Sequence, residues 1–196
     1  KTGSGQFTPL LTRFRAFQPD ILYWIGYDVD ALPIAAQTRQ VGLRPKLIYG
    51  APPSWPIGFE KNPLSQAVAG MTAWLPTLSN LESRRFVEAY RKKYGEVTEE
   101  YMAPMGYVIA KSLALAAERA GSADKNRIAE ALAGLTTDTP IGRLSFKPSD
   151  TGKTRYQGFG PEIWLQFQYI QGTRRPVFPK EKASVPLRYP GEYYLR

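Results

Sequence analysis

The 196-residue sequence contains no cysteine and no histidine. The first absence excludes disulfides, thiolate metal sites and cysteine nucleophiles, and the second removes the commonest general base and metal ligand. No apolar run approaches the roughly 20 residues that a membrane-spanning helix needs. The sequence also lacks a glycine-rich dinucleotide or phosphate loop and a nucleophile-elbow motif. It therefore predicts no enzyme activity, no metal site and no cofactor.

Acidic residues are also scarce, with 17 Asp and Glu against 26 Lys and Arg and a net charge of +9. Such an excess raises the question of a nucleic-acid or other anionic partner. The basic residues are scattered, however, and residues 82–93 interleave them with acids on one predicted helix. We therefore expect solvated helix faces and no nucleic-acid partner. Hydrophobic residues make up 43% of the chain, which is enough to build a core.

The first part of the chain alternates between helical and strand patterns. Apolar residues recur at helical spacing over residues 7–17, and Ile21–Ile25 is a continuous apolar run of the kind found in buried parallel strands. Later segments repeat this alternation. They are a helix to Val41 with Asp28 as its N-cap and Gly42 as its stop, a strand at 46–49, a weakly helical segment at 63–69 and a strand at 71–75. The order predicts a doubly wound α/β lobe, whose ligands bind where strands end.

The remaining residues are predicted to be helical and then extended. Three helices are expected. The first is capped by Ser79 or Asn80 and reaches Tyr94, the second spans 100–120 and stops at Gly121, and the third is capped by Asp124. The inner face of the second helix is predicted to consist of Met105, Val108, Ile109, Leu113 and Ala116. Short strands are expected from Thr139 onward, including an alternating segment at 162–168 followed by a turn at Gln171 and Gly172. The last residues are predicted to lie across a surface.

Several stretches, in this order and spacing, resemble the C-terminal half of type I periplasmic solute-binding proteins of the branched-chain amino-acid-binding (leucine-binding) family. They are PDILYWIGY at 19–27, RQVGL at 39–43, FVEAYRKKYG at 86–95, AERAGS at 117–122, IAEALAGL at 128–135, TPIGRLSF at 139–146 and QFQYIQG at 166–172. No single motif is decisive, but the ordered set covers nearly the whole chain.

The resemblance implies a bilobed α/β fold with doubly wound parallel sheets, of which this chain is the C-terminal half. Residues 1–76 would belong to the second lobe, residues 77–160 would return to the first lobe, and residues 161–196 would cross back. The implied partners are the missing N-terminal half, a small-molecule ligand bound by hinge closure, and the membrane permease of an ABC transporter. The implied location is periplasmic or otherwise extracytoplasmic, with a signal peptide in the precursor. The same fold also serves ligand-sensing receptors and regulators, and sequence beyond Arg196 would separate the two roles.

Tyr27 and Asp28 follow the first strand of the second lobe. In amino-acid-binding members of the family, an aromatic residue at the position of Tyr27 faces the ligand. Tyr27 would then supply a ring wall and a hydroxyl, although an ordinary turn tyrosine would look the same in sequence. Asp28 is a second candidate, with helix capping as the alternative explanation.

The loop after the second strand departs from the family pattern. Amino-acid-binding members carry a glutamate there that pairs with the ligand ammonium, whereas this sequence has Ala51 and Pro52, with the next acid at Glu60. A buried ammonium without a carboxylate is costly, so we expect an organic acid, an aromatic acid or an amide as ligand. Trp55 and Trp74 border the proposed cleft and are candidate stacking residues, with core packing as the alternative.

Overall fold

A computed structural model describes residue 3 and residues 5–52, 55–66, 68–97, 101–148, 155–156 and 163–191. The chain divides into two compact units. Unit 1 comprises Lys1–Thr72 and Leu165–Arg196, and unit 2 comprises Ala73–Trp164. None of the helices in the described part of the chain combines the length and the apolar character that crossing a bilayer requires. The assignment of the segments to two lobes of a larger protein stays a prediction.

Unit 1 is built around a five-stranded sheet in the order β1-β2-β3-β8-β9. The first three strands run parallel, and the last two are antiparallel to their neighbours. Their bounds are β1 Ile21–Trp24, β2 Leu47–Gly50, β3 Ala69–Thr72, β8 Leu165–Ile170 and β9 Thr173–Phe178. The turn between β8 and β9 uses Gln171 and Gly172, both at positive φ, as the sequence predicted.

The helices of unit 1 precede and connect the parallel strands. They are α1 Thr8–Arg15 and α2 Ala31–Gln40, with single 3₁₀ turns at Asp28–Asp30, Phe59–Lys61 and Pro63–Ser65. Gly42, at φ 69°, follows the end of α2 as predicted. The chain after β9 lies on the sheet, because Gly191 N donates to the Lys46 carbonyl and Arg188 N donates to the Gln168 side chain.

Unit 2 is mainly helical. It contains α3 Leu81–Tyr94, α4 Met102–Ala120 and α5 Lys125–Ala133, followed by the hairpin β4 Thr136–Thr139 and β5 Gly142–Ser145 and the short pair β6 Lys147–Pro148 and β7 Arg155–Tyr156. Of the two cap residues predicted for α3, Asn80 is the one observed, since it accepts from Ser83 N. The predicted cap of α5 is confirmed, since Asp124 accepts from Asn126 N and Arg127 N. The core of this unit gathers around Trp74, Phe86, Val108 and Leu144.

Several sequence predictions need correction. The third strand spans 69–72, not 71–75, and Ala73 to Leu75 are buried residues that follow it. The segment expected to be helical at 63–69 forms only a 3₁₀ turn at Pro63–Ser65. Helix α2 starts at Ala31, because residues 28–30 form a separate 3₁₀ turn.

The apolar faces predicted for two helices are partly exposed. On α4, Val108 and Ala116 are buried as expected, but Ile109 is 58% exposed and Leu113 is 48% exposed. On α1, Leu11 is buried, whereas Leu10 and Phe14 lie at the surface, as does Phe17 just after the helix. Helical spacing identified the apolar positions correctly, but the described residues do not bury all of them.

Candidate ligand-binding site

The carboxyl ends of β1 and β2 lie side by side in unit 1. Trp24 and Gly50, the last residues of the two strands, are paired in the parallel register. Ala51 N continues the pairing beyond the strands by donating to the Trp24 carbonyl at 3.0 Å. The loops that follow β1 and β2 therefore leave the sheet together, at the edge where α/β folds place their ligands.

Tyr27 and Asp28 project from the first of these loops. Tyr27 has extended backbone geometry and a side chain that is 57% exposed, so its ring and hydroxyl are available to a ligand. Asp28 is also exposed, and its Oδ1 accepts only a 2.9 Å bond from the next backbone amide, that of Val29, among the described contacts. The structure records no helix-capping bond from Asp28, so the capping explanation for this residue is wrong.

The acid that helps to fix this loop is Asp30, which the sequence analysis did not select. Asp30 is buried, and its Oδ1 accepts from Gly3 N at 3.0 Å. Its own amide donates to the Tyr27 carbonyl, which closes the turn that presents Tyr27 and Asp28. A signal for Asp30 was available in the sequence. Asp28 and Asp30 both lie at the start of one helix, and a single capping side chain is enough there.

A tryptophan packs back over the start of the same loop. A Cβ atom on Gly26 would lie 2.7 Å from the six-membered ring of Trp24, so only glycine fits at this position without displacing the ring. Trp24 is buried, and its indole Nε1 has no hydrogen-bond partner among the described residues. The ring thus forms an apolar support beneath the segment that carries Tyr27.

The loop after β2 contributes Ala51, which is buried, and Pro52, which is half-buried. Residues 53 and 54, part of the loop in which the family's glutamate was sought, lie outside the described residues. Glu60, the next acid along the chain, is half-buried in the 3₁₀ turn Phe59–Lys61, where its carbonyl accepts from Ser65 Oγ. Neither Ala51 nor Pro52 can offer a side-chain hydrogen bond to a ligand, so these two residues supply shape only.

Trp55 is a core residue of unit 1. It is 5% exposed, its Nε1 donates to the Ala69 carbonyl at 2.9 Å, and its ring stacks on Phe59 with centroids 4.9 Å apart. Gly70 gives it room, because a Cβ atom there would lie 2.7 Å from the indole. The core-packing alternative therefore describes Trp55 in this structure, and its side chain offers little surface to a ligand.

Trp74 is the corresponding residue of unit 2. Its side chain is completely buried, its Nε1 donates to Ser83 Oγ at 2.9 Å, and Phe86 meets it edge-on with centroids 5.7 Å apart. With its one polar atom satisfied and no exposed surface, Trp74 serves packing. We therefore do not retain it among the candidate ligand contacts.

The residue that sequence reasoning missed is Arg174. Its charge was expected to be solvated like those of the other basic residues, but the side chain is buried. Its guanidinium donates to the Trp55 carbonyl and to the Tyr169 hydroxyl, both at 3.1 Å, and lies over the Phe167 ring. Arg174 thus holds the loop after β2 through its bond to the Trp55 carbonyl. The alternating pattern of β9, which turns Arg174 and Pro176 inward, was the signal available in the sequence.

On the other face of the sheet, two tyrosines stack beside each other. The rings of Tyr23 and Tyr49 have centroids 5.4 Å apart, and Tyr49 donates from its hydroxyl to Gln166 Oε1. Burial, with a smaller contribution from Tyr23, raises the pKa of Tyr49 to about 12, so this phenol stays neutral at physiological pH.

Within the described residues, no group of three or more Asp or Glu side chains is placed to hold a metal ion.

Comparison with known proteins matches this chain to a protein family. The family model described as periplasmic binding protein matches residues 1–156. A curated relative, the leucine-, isoleucine-, valine-, threonine- and alanine-binding protein of Pseudomonas aeruginosa, is 25% identical over 150 residues, which is 74% of this chain and 38% of the relative. The described fold, with its parallel-rich sheet, is that of type I periplasmic binding proteins of the leucine-binding family.

Two solved structures illustrate the likeness in three dimensions. A leucine-binding protein from Thermotoga maritima superposes with a TM-score of 0.74 at 24% identity and covers 89% of this chain and 48% of its own. A solute-binding protein of an ABC transporter from R. palustris, solved with benzoate, superposes with a TM-score of 0.67 at 18% identity and covers 93% of this chain and 50% of its own. The chain thus spans about half the length of these solved relatives.

Proposed function

Because this chain belongs to the periplasmic binding protein family, we propose that it forms part of an extracytoplasmic solute-binding protein that serves an ABC uptake system. The observation that carries the proposal is the family match over residues 1–156, together with the exposed Tyr27 and Asp28 at the end of a parallel strand. The relatives that it matches are binding proteins, which favours binding without catalysis. The extracytoplasmic location is carried over from the same family.

The rest of this protein is proposed to cover the apolar faces that each unit leaves open. In unit 1, β1 pairs only with β2 among the described strands, and its Ile21 and Tyr23 side chains are about half exposed. Parallel strands are normally buried on both faces. In unit 2, Ile109 and Leu113 form an exposed apolar stripe on α4. A companion polypeptide as long as this chain fits the length of the relatives.

Hydrogen exchange tests this companion. In the longer polypeptide, the amides of Ile21 and Tyr23 are expected to exchange more slowly than in this chain alone, because the edge of β1 becomes paired. The amides of Leu22 and Trp24 serve as internal controls, because they alternate with the first pair along the same strand. Equal exchange of Ile21 and Tyr23 in the two polypeptides would show that nothing docks at this edge.

The proposed ligand is an organic acid, an aromatic acid or an amide in preference to a standard α-amino acid. The described part of the loop after β2 offers no carboxylate for an ammonium group, since Ala51 and Pro52 are apolar. Asp28 is exposed at the end of β1 and is suited to accept a bond from an amide or hydroxyl donor. A carboxamide, or an aromatic acid that also bears a hydroxyl, satisfies both features.

Calorimetric titration of the complete protein tests the ligand class. We expect binding of benzamide or hydroxybenzoate, and no tight binding of leucine, isoleucine or valine. The substitution Tyr27→Ser should weaken binding by about tenfold, which is about 1.4 kcal/mol. Tyr189→Ser is the matched control, because Tyr189 is similarly exposed but lies in the segment after β9. Tight binding of a branched-chain amino acid would refute the ligand class, and binding of none of these compounds would refute the function.

The proposed mechanism is hinge closure of two lobes around the ligand. Residues 1–76 and 161–196 are assigned to one lobe and residues 77–160 to the other. Ligand contacts with both lobes favour the closed form, and the permease recognises that form. Small-angle scattering of the complete protein should show a smaller radius of gyration with saturating ligand. An unchanged radius of gyration under saturation would contradict closure.

A further inference from the structure

A groove on unit 2 has no part in the solute site proposed above. It lies between α3 and α4, has a volume of about 590 Å³, and runs from Glu82 and Arg85 at one end of α3 to Lys93 and Tyr94 at the other. Twelve helical residues span about 18 Å, which is the length of five or six residues of extended chain. The groove is therefore longer than a small solute and matches a short peptide segment.

The floor of the groove is aromatic. Phe86, Tyr90 and Tyr94 follow one another at every fourth residue of α3, with successive centroids 5.7 Å and 4.8 Å apart, and Tyr107 of α4 lies 5.4 Å from Phe86. Tyr94 is 63% exposed and Tyr107 is 43% exposed, so these rings are not fully used by the core. Surface tyrosines whose flat faces and hydroxyls are open are the side chains that dominate protein interfaces.

The walls of the groove are positively charged. The basic residues that line it are Arg85, Lys93 and Lys111. The acidic residue among its described lining residues is Glu82. Glu82 already accepts from Lys111 at 2.7 Å and from Arg85 at 2.9 Å. These bonds lower the pKa of Glu82, with the Lys111 bond as the largest cause. Two more positive charges than negative ones therefore remain in the groove at neutral pH, and Lys93 lies over the Tyr94 ring at 5.1 Å.

Helix electrostatics account for only part of this charge. Basic residues in the last turn of α3, such as Lys92 and Lys93, interact favourably with the helix dipole. Arg85 lies in the second turn of the same helix, outside the reach of the dipole, and is held by its ion pair with Glu82. The basic surface thus extends over both ends of α3, and the dipole accounts only for its C-terminal part.

From this arrangement we infer that the groove between α3 and α4 is a docking site for an extended acidic peptide segment, five or six residues long and bearing aromatic side chains, from a partner protein. Carboxylates of the segment pair with Lys93 and Lys111 along the walls, and its rings stack on Tyr94 and Tyr107. The inference does not depend on which solute the protein binds.

Fluorescence anisotropy with a fluorescein-labelled hexapeptide of alternating glutamate and tyrosine tests the inference on the present chain. We expect saturable binding that weakens as salt is raised. Lys93→Glu is expected to reduce affinity at least about tenfold, since it reverses a wall charge. The control Arg91→Glu makes the same charge change on an exposed face of α3 outside the groove, and should change affinity less than about twofold.

The tyrosine contribution is tested separately, at unchanged net charge. Tyr94→Ser should also weaken peptide binding by about tenfold. Tyr189→Ser, at an exposed tyrosine of unit 1, should not weaken it. An equal loss with Arg91→Glu, or no loss with Tyr94→Ser, would mean diffuse attraction to a basic protein and would overturn the inference. Binding of phosphatidylglycerol vesicles with the same variant pattern would also overturn it, in favour of a membrane surface. Solute titration of the Tyr94→Ser protein should be unchanged, which separates this site from the proposed function.

Discussion

In unit 1, the buried Arg174 lies among Phe167, Tyr169 and the Trp55 carbonyl, whereas in unit 2 Trp74 is packed against Phe86 and bonds to Ser83. The first arrangement uses a charged group to hold a loop that leaves the sheet. The second uses an aromatic ring and one neutral hydrogen bond to join a chain segment to a helix. Both units bury a tryptophan soon after a parallel strand, so that position in the sequence does not by itself indicate a ligand contact. What distinguishes Tyr27 from these tryptophans is exposure at a strand end.

The largest effect is expected from Arg174→Met, which tests whether the hydrogen bonds of the buried Arg174, the polar anchor of unit 1, are essential for stability. The variant leaves the Trp55 carbonyl and the Tyr169 hydroxyl without their charged donor inside the protein, so the free energy of unfolding should fall by about 3 kcal/mol. Urea denaturation followed by circular dichroism measures this. Arg175→Met removes the neighbouring exposed arginine and should change stability by less than about 0.5 kcal/mol. If the two variants are equally stable, the anchor has no energetic role.

A glycine in each unit sharpens the comparison further. Gly70→Ala places a Cβ atom 2.7 Å from the Trp55 ring and 2.8 Å from the Phe167 ring. The crowding should destabilise the protein by about 1–3 kcal/mol.

Gly106→Ala is the counterpart in α4, where a Cβ atom would meet nothing within 4 Å. It should leave stability unchanged or raise it by up to about 1 kcal/mol, because alanine is the better helix former. Thermal denaturation of both variants is sufficient. Opposite signs are expected, and a stabilising Gly70→Ala would contradict the packing described around Trp55.

Removing a cap from each unit should have a smaller effect. Asn80→Ala removes the bond from Ser83 N and the bond to the Pro140 carbonyl, and should cost about 1 kcal/mol of stability. Asn62→Ala removes a single bond from Leu64 N at a three-residue turn of unit 1, and we expect less than half that cost. Chemical denaturation at one temperature compares the two. A larger loss for Asn62→Ala than for Asn80→Ala would contradict the smaller stabilising role assigned to the turn at Asn62.

The smallest effect is a pH dependence confined to unit 2. The pKa of Glu82 is lowered from 4.5 by its bonds to Lys111 and Arg85, so the folded protein favours the ionised form. The contribution of Glu82 to stability is complete above pH 4.5 and is lost as the pH falls through the lowered pKa. The stability difference between the unaltered protein and Glu82→Gln should therefore be constant from pH 7 to pH 5 and shrink towards pH 3. Urea unfolding across this range, with Glu88→Gln as the matched variant on the same helix, checks it.

Helix ends were the part of the fold that the sequence predicted best. Asn80, Asp124 and Gly121 act on backbone groups within a few residues, so their effect depends little on the rest of the chain. The alternation of helices and strands was also predictable as far as β2, because buried parallel strands need continuous apolar runs. Between β2 and β3, the expected helix is replaced by 3₁₀ turns. The third strand was predicted two residues too late at its start and three too late at its end, since the apolar character of Ala73 to Leu75 serves packing after the strand has ended.

The candidate site was less predictable than the fold. Tyr27 and Asp28 could be selected because they follow a strand, and their role in binding a ligand stays a prediction. The same rule selected Trp55 and Trp74, whose burial depends on Gly70 and on Ser83, residues that only the folded chain brings to them. Arg174 was missed for the same reason, since its partners lie more than 100 residues away or across a strand pair. Exposure cannot be deduced from spacing alone, as Ile109 and Leu113 also show.

The indole nitrogen of Trp24 has no hydrogen-bond partner among the described residues, which makes Trp24 a fluorescence probe for its surroundings. An indole held in an apolar setting without an acceptor emits at shorter wavelength than one bonded to water. Trp24 lies directly before the segment that carries Tyr27, whereas the indole nitrogens of Trp55 and Trp74 are already bonded inside the protein. A solute that settles at the end of β1 should therefore change the emission of Trp24 most, and its arrival can be timed without any attached dye.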